Sequence, residues 1–213
     1  MTQGRPIISA FHTVPDFAKG HVRDLRLRWA FEEVGVPYDT YLLNAMQPRG
    51  ADYVGWQPFD QVPALREGAV EMFESGAILL RIAQEHGALL PDGEQDRWRA
   101  ISWLFAALNS VEPAIMMLVT HALFHQDKPW SGEAVEAVKP FVRERLKRLS
   151  EALLEREWLA GEFSIADIAM ATVLASAMDG VVEEQPAVAG YRDRALSRPA
   201  YRRALDAQFA DFT

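Results

Sequence analysis

The chain has 213 residues, 49% of them hydrophobic, enough for one large or two small cored domains. With 30 acidic against 22 basic residues the net charge is −8, which argues against the clustered positive face of a nucleic-acid binder. The lack of cysteine excludes disulfides, a cysteine nucleophile and thiolate metal sites, so any sulfur chemistry belongs to a ligand.

No apolar run is expected to approach the length of a membrane span, and the apolar stretch after Met1 to Arg5 is too short for a signal peptide. The expectation is a cytoplasmic protein with neither membrane nor nucleic-acid partners. Pro6 to Phe11 reads as a strand. Val22, Leu25 and Trp29 then share one stripe, widened by Leu27, Phe31 and Val34, and describe an amphipathic helix that stops at Gly35 with Pro37 beyond. Tyr38 to Leu43 reads as a second strand. Asn44 to Asp60, with two prolines and two glycines, is expected to be irregular. Ala64 to Phe73 reads as a hairpin turning at Glu67-Gly68, and Ser75 to His86 as a helix closed by Gly87. The order strand, helix, strand, strand, strand, helix describes a small α/β thioredoxin-like layer over residues 1–87.

The turn cluster Pro91-Asp92-Gly93 places a linker at residues 88–93, and an all-helical domain follows over residues 94–213. Glu94 to about His125 reads as one long helix, bent near Asn109 by Pro113. Glu133 to Glu157 is a second helix. Ile165 to Met178 is nearly all apolar and should be the buried centre of this domain. Two shorter helices, around Ala187 to Leu196 and Pro199 to Phe209, close the chain.

Two motifs carry chemistry. The first is Gln61-Val62-Pro63-Ala64-Leu65, because an X-Pro bond is where the cis form costs only about 0.5–1 kcal/mol. With that bond cis, the backbone N–H and C=O of Val62 can pair with an extended peptide ligand in the manner of strand addition. The second is Glu74-Ser75 at a helix start, where the serine hydroxyl and free N–H groups favour a carboxylate and Glu74 can hold an ammonium group. Each motif alone has a plain structural use, as an edge-strand start or a helix cap. One hairpin sets the two side by side, which favours a ligand with an amino-acid head and a backbone-like middle, the shape of glutathione.

The other features weigh differently. Thr13, just after the first strand, could point its hydroxyl at a ligand thiol, or could bond its own backbone as an ordinary loop threonine. Ser164-Ile165-Ala166-Asp167 is a capping box with a structural role. His121 and His125 lie one helical turn apart but lack the following glutamate and a third ligand, so no metal site is expected. Met116-Met117, Trp103 and Phe105 fit a core better than a pocket.

Taken together, Gln61 to Leu65, Glu74-Ser75, Trp158-Leu159-Ala160-Gly161 leading into Phe163 to Ile168, and Arg198-Pro199-Ala200-Tyr201 resemble the cytosolic glutathione transferases in order and spacing, over essentially the whole chain. The resemblance implies a thioredoxin-like domain followed by a helical one, in a two-fold homodimer. It implies glutathione as co-substrate, held by Val62, by cis Pro63 as structural support, and by Glu74 and Ser75. It also implies an apolar second-substrate site against the long helix of Trp103, Asn109 and Met116. The chain departs from the family at the activating residue. Thr13-Val14-Pro15 is similar to a serine-x-proline form of that site, with His12 or His21 as the alternatives. The implied function is glutathione S-transfer to a small, mostly apolar electrophile, with Thr13 stabilising the thiolate. The rival is a binding or interaction protein of the same fold without turnover.

Overall fold

Ile8, Ser9 and Ala10 are completely buried, which marks their strand, β1 (Ile7–Thr13), as the middle of a sheet covered on both faces. In the computed structural model, which describes residues 4–178 and 180–213, β1 pairs in parallel with β2 (Asp39–Asn44). A parallel pair needs a crossover, and α1 (Asp24–Val34) supplies it. That helix ends where Gly35 turns left-handed at φ 68° and returns its N–H to Phe31. On its other side β1 pairs antiparallel with β3 (Ala64–Glu67), which forms the expected hairpin with β4 (Val70–Phe73), so the order is β2-β1-β3-β4.

The stretch expected to be irregular between β2 and β3 contains a short helix, α2 (Ala51–Trp56). Its buried Tyr53 and Trp56 explain why it forms despite flanking turn residues. Trp56 donates its indole N–H to the carbonyl of Leu65 at 3.1 Å, pinning α2 to β3. The helix from Ser75 to His86, α3, has the expected bounds.

The chain divides into two compact units. One holds the described residues up to Leu89 together with Arg198–Thr213, and the other holds Leu90–Ser197. Chain order alone groups the last helix, α9 (Pro199–Asp211), with the helices before it, but its side chains group it with α1. Arg198 grips Glu33 with two bonds of 2.6 and 2.8 Å, and Tyr201 meets Trp29 edge-on at 4.9 Å. Gln208 donates to Asp24 at 2.9 Å, and Arg28, itself buried, bridges Asp24 and Asp211 at 2.7 and 2.6 Å. α1 is therefore covered on more than one side, and its Asp24, Arg26 and Arg28 are buried.

In the second unit α4 (Glu94–Ala106) runs through a π-helical turn, Ala107–Val111, into α5 (Glu112–Val119), and a further π-turn covers Thr120–Phe124. Near Asn109, where a bend is expected, the helix carries this π-turn: Pro113 cannot donate to the ladder, and the turn before it widens. Glu94–Phe124 is one helical run of 31 residues, long and apolar enough by length and composition to cross a membrane. This corrects the expectation that no apolar run approaches that length, which polar Asn109, Ser110 and Glu112 had obscured. Its Leu104, Val111, Ile115 and Leu118 are buried, as in a core helix.

Then come α6 (Ser131–Leu153), with Pro140 inside it, α7 (Ile165–Ala175) and α8 (Pro186–Leu196). α7 stops at Ala175 instead of Met178, where Ser176 returns its N–H to Val173 and its hydroxyl to Thr172. As expected, α7 is buried along nearly its whole length and opens on the capping box. Asp167 accepts from the N–H groups of Leu159 and Ser164, from the Ser164 hydroxyl, and from the Tyr191 phenol at 2.8 Å. Burial raises the Asp167 carboxyl pKa above its ordinary value. Burial, with that carboxylate beside it, pushes Tyr191 well above the usual phenol range, so the phenol stays a donor.

Candidate functional site

The hairpin register ends with Ala64 opposite Phe73. Pro63 and Glu74 follow directly on either side of its open end. Val62 and Ser75 come next. The Val62-Pro63 peptide bond is cis. The structure thus brings Val62, Pro63, Glu74 and Ser75 together at one end of the sheet.

Glu74 holds φ 71° and ψ 112°, in the region that favours glycine. A non-glycine residue held there costs on the order of 1–3 kcal/mol, and such outliers cluster at ligand sites. Although Glu74 is the N-cap of α3, its side chain makes no capping bond, and no acidic residue stands in the first turn. The positive helix end is left to other groups. Arg26, buried on α1, donates to the hydroxyl oxygen of buried Ser75 at 3.2 Å. A guanidinium only donates, so this bond leaves Ser75 its own proton to give. Two positive features, the helix start and the Arg26 guanidinium, meet at the Ser75 hydroxyl, and the residue before it, Glu74, is exposed. The arrangement suits a zwitterionic amino-acid head.

Under the Val62 loop lies a cluster of Tyr53, Trp56, Val62 and Ala64, with Phe11, Leu43 and Phe73 packed against it. Gln57, also buried, accepts at its side-chain oxygen from the N–H of Phe59 at 2.7 Å and of Gln61 at 3.3 Å, and so shapes the loop before Val62. The guanidinium of Arg49 lies 5.0 Å from the centre of the Phe11 ring.

Thr13 is the last residue of β1. Phe11 pairs with Leu43 and Thr13 with Asn44, so the register shifts by one residue at His12. The Thr13 hydroxyl lies 2.9 Å from His12 Nδ1, and the His12 carbonyl accepts from the Thr213 N–H at 2.9 Å. Thr13 therefore does not satisfy its hydroxyl on its own backbone alone, as an ordinary loop threonine would. His21 stands three residues before α1, in a turn where its N–H bonds Ala18. His121 and His125 belong to the second unit, where their rings, 5.7 Å apart, pack with Trp130. Among the described residues no group of three or more metal-ligating side chains is found.

Sequence reasoning passes over Arg26, Ser9 and Tyr53. A signal for Arg26 exists, because it stands inside the apolar helix stripe between Leu25 and Leu27, where a charge needs a partner. Tyr53 is hidden by the unrecognised α2.

The chain is similar to known proteins over most of its length. The N-terminal domain of glutathione S-transferases matches residues 18–84, and the C-terminal domain of the same family matches residues 111–199. Glutathione S-transferase F10 of Arabidopsis thaliana is 30% identical over 151 residues, 64% of this chain and 68% of the relative. The disulfide-bond oxidoreductase YfcG of Escherichia coli K12 is 33% identical over 156 residues, 71% of this chain and 72% of the relative. A glutathione transferase from Burkholderia graminis, solved with two glutathione molecules per subunit, shares the fold with a TM-score of 0.82 at 23% identity, over 95% of this chain and 88% of that one. With both domains matched in order and the fold shared from end to end, the chain belongs to the glutathione transferase family.

Proposed function

We propose that this chain binds glutathione at the open end of the β3–β4 hairpin and presents its thiolate to an electrophile. The observation that carries the reading is the meeting of Glu74, Ser75 and buried Arg26 beside the Val62-Pro63 loop. The γ-glutamyl head is zwitterionic and matches Ser75 with Arg26 for its carboxylate and Glu74 for its ammonium. The cysteinyl backbone matches Val62. In this reading Thr13 is the residue that donates to the sulfur, and the acting form is a two-fold homodimer.

The chemistry is nucleophilic: the ligand's thiol loses its proton to solvent, and the sulfur forms a bond to an electrophilic carbon as the leaving group departs. A thiol of pKa about 8.5 is only slightly ionised at neutral pH, so a donor to the thiolate raises the reactive fraction. The relatedness to a disulfide-bond oxidoreductase favours a second reading, in which the electrophile is a disulfide sulfur. The glutathione thiolate then forms a mixed disulfide and one thiolate leaves, with all sulfurs belonging to ligands because the chain has no cysteine.

Two assays test these readings. The protein is expected to be retained on immobilised glutathione and released by free glutathione; passage without retention contradicts the site. Turnover of an aryl halide, compared with turnover of a small disulfide, separates the two chemistries. Thr13→Ala should lower the faster rate at least about tenfold, the loss of one thiolate donor. An unchanged rate would transfer the role to another residue, and His21→Gln is the comparison to run beside it.

A further inference from the structure

Buried groups form a hydrogen-bonded chain beneath the Val62-Pro63 loop. The Ala64 N–H donates to Ser9 Oγ at 2.7 Å, Ser9 Oγ and Tyr53 Oη lie 2.8 Å apart, and the Tyr53 hydroxyl donates to the Gln61 carbonyl. The direction of the middle link follows from counting protons. Tyr53 has one, and it goes to Gln61; Ser9 already accepts from Ala64, so the Ser9 hydroxyl donates to Tyr53. Each proton is used once.

The two ends of this chain are the residues on either side of Val62 and Pro63. Its middle members belong to other elements. Ser9 sits on β1, the central strand, fully buried, and Tyr53 sits on α2, packed among Trp56, Val62 and Ala64. The loop is therefore fastened before and after Val62 to two other elements of the fold, β1 and α2. A backbone that pairs with an extended ligand needs that placement, because a shift of about 0.5–1 Å at a binding group is enough to weaken it.

We infer that Ser9 and Tyr53 are positioning residues for glutathione, fixing the Val62 backbone from below and acting on binding instead of on the sulfur. The inference rests on the reading that Val62 pairs with the ligand backbone. Tyr53→Phe leaves the Gln61 carbonyl and the Ser9 hydroxyl without their partners. Ser9→Ala leaves the Ala64 N–H and the Tyr53 oxygen in the same condition. Either change frees the same loop, so their effects should not add.

The test uses the full chain, with Tyr53→Phe, Ser9→Ala and the double variant. Calorimetric titration with glutathione should show binding about tenfold weaker in each single variant and no more than about twofold weaker again in the double. Turnover at saturating glutathione should stay within about twofold of the natural chain, a split that general destabilisation would not produce. Amide hydrogen exchange at Ala64, measured without ligand, should speed up in both single variants. Equal glutathione affinity in the natural chain and the variants overturns the positioning role and leaves the proposed function standing. Additive losses overturn the shared relay. Unchanged exchange at Ala64 overturns the fastening itself, whether or not glutathione binds. Failure of the natural chain to bind glutathione overturns both this inference and the reading beneath it.

Discussion

Glu74 carries backbone strain at the point where a ligand head is expected. At φ 71° a side chain is unfavourable by on the order of 1–3 kcal/mol, and glycine would relieve this. Glu74→Gly is therefore predicted to raise unfolding stability by about 1 kcal/mol while weakening glutathione binding. A chemical-denaturation curve and a titration read the two effects separately, and a variant that loses both stability and affinity contradicts the assignment. Arg26 makes the complementary case. Its guanidinium donates to Ser75 from a buried position, and a hydrogen bond from a charged donor is worth roughly 1.5–3 kcal/mol. Arg26→Met should weaken glutathione at least about tenfold, and Arg26→Lys should restore part of the loss. Equal weakening in both variants would mean that geometry, not charge, is what Arg26 supplies.

At the scale of elements, the sequence is legible where a local rule has one outcome. Ser75 to His86 has its exact bounds because a helix-start signal and Gly87 bracket an apolar stripe. The irregularity near Asn109 follows from the missing N–H of Pro113, although its form as a π-turn depends on packing that no local rule contains. The short α2 is illegible for the opposite reason. Gly50 and Pro58 read as loop residues but stand just outside its ends, and only the burial of Tyr53 and Trp56 makes the segment between them a helix. The site divides the same way. Val62, Pro63, Glu74 and Ser75 are visible as motifs, whereas Arg26, Ser9 and Tyr53 matter through contacts between elements.

The capping box of α7 can be tested at the same scale. Asp167→Asn trades a carboxylate that accepts four bonds for an amide whose NH2 must face donors. Unpartnered buried donors cost roughly 1–3 kcal/mol each, so a loss of about 3 kcal/mol at neutral pH is expected by denaturant melting. Because burial raises the Asp167 pKa above 3.8 in the folded chain, the charged carboxylate costs stability progressively as pH rises from that value through the folded pKa. The asparagine variant should lack this part of the slope, so its deficit should be larger at low pH than at neutral pH. A deficit that is the same at every pH would mean that Asp167 titrates alike in both states.

At the scale of the whole molecule, the end of the chain completes the beginning. α9 holds α1 through Arg198 with Glu33, Gln208 with Asp24, and Asp211 with Arg28. Removing residues 198–213 would take these bonds from Glu33, Asp24 and Arg28, leave Asp24 and Arg28 with each other, and expose the side of α1 that α9 covers, Trp29 against Tyr201 included. The truncated chain is predicted to melt far below the full one and to lose glutathione binding, although it keeps every residue of the proposed site. Unaltered melting would show that α1 does not depend on α9. The central claim is that one hairpin end holds the head of glutathione. Its most direct test is calorimetric titration of the full chain with reduced glutathione, run beside Ser75→Ala. Saturable binding that weakens at least about tenfold on loss of the Ser75 hydroxyl is the predicted result. No saturable binding, or equal affinity in the two chains, would contradict it.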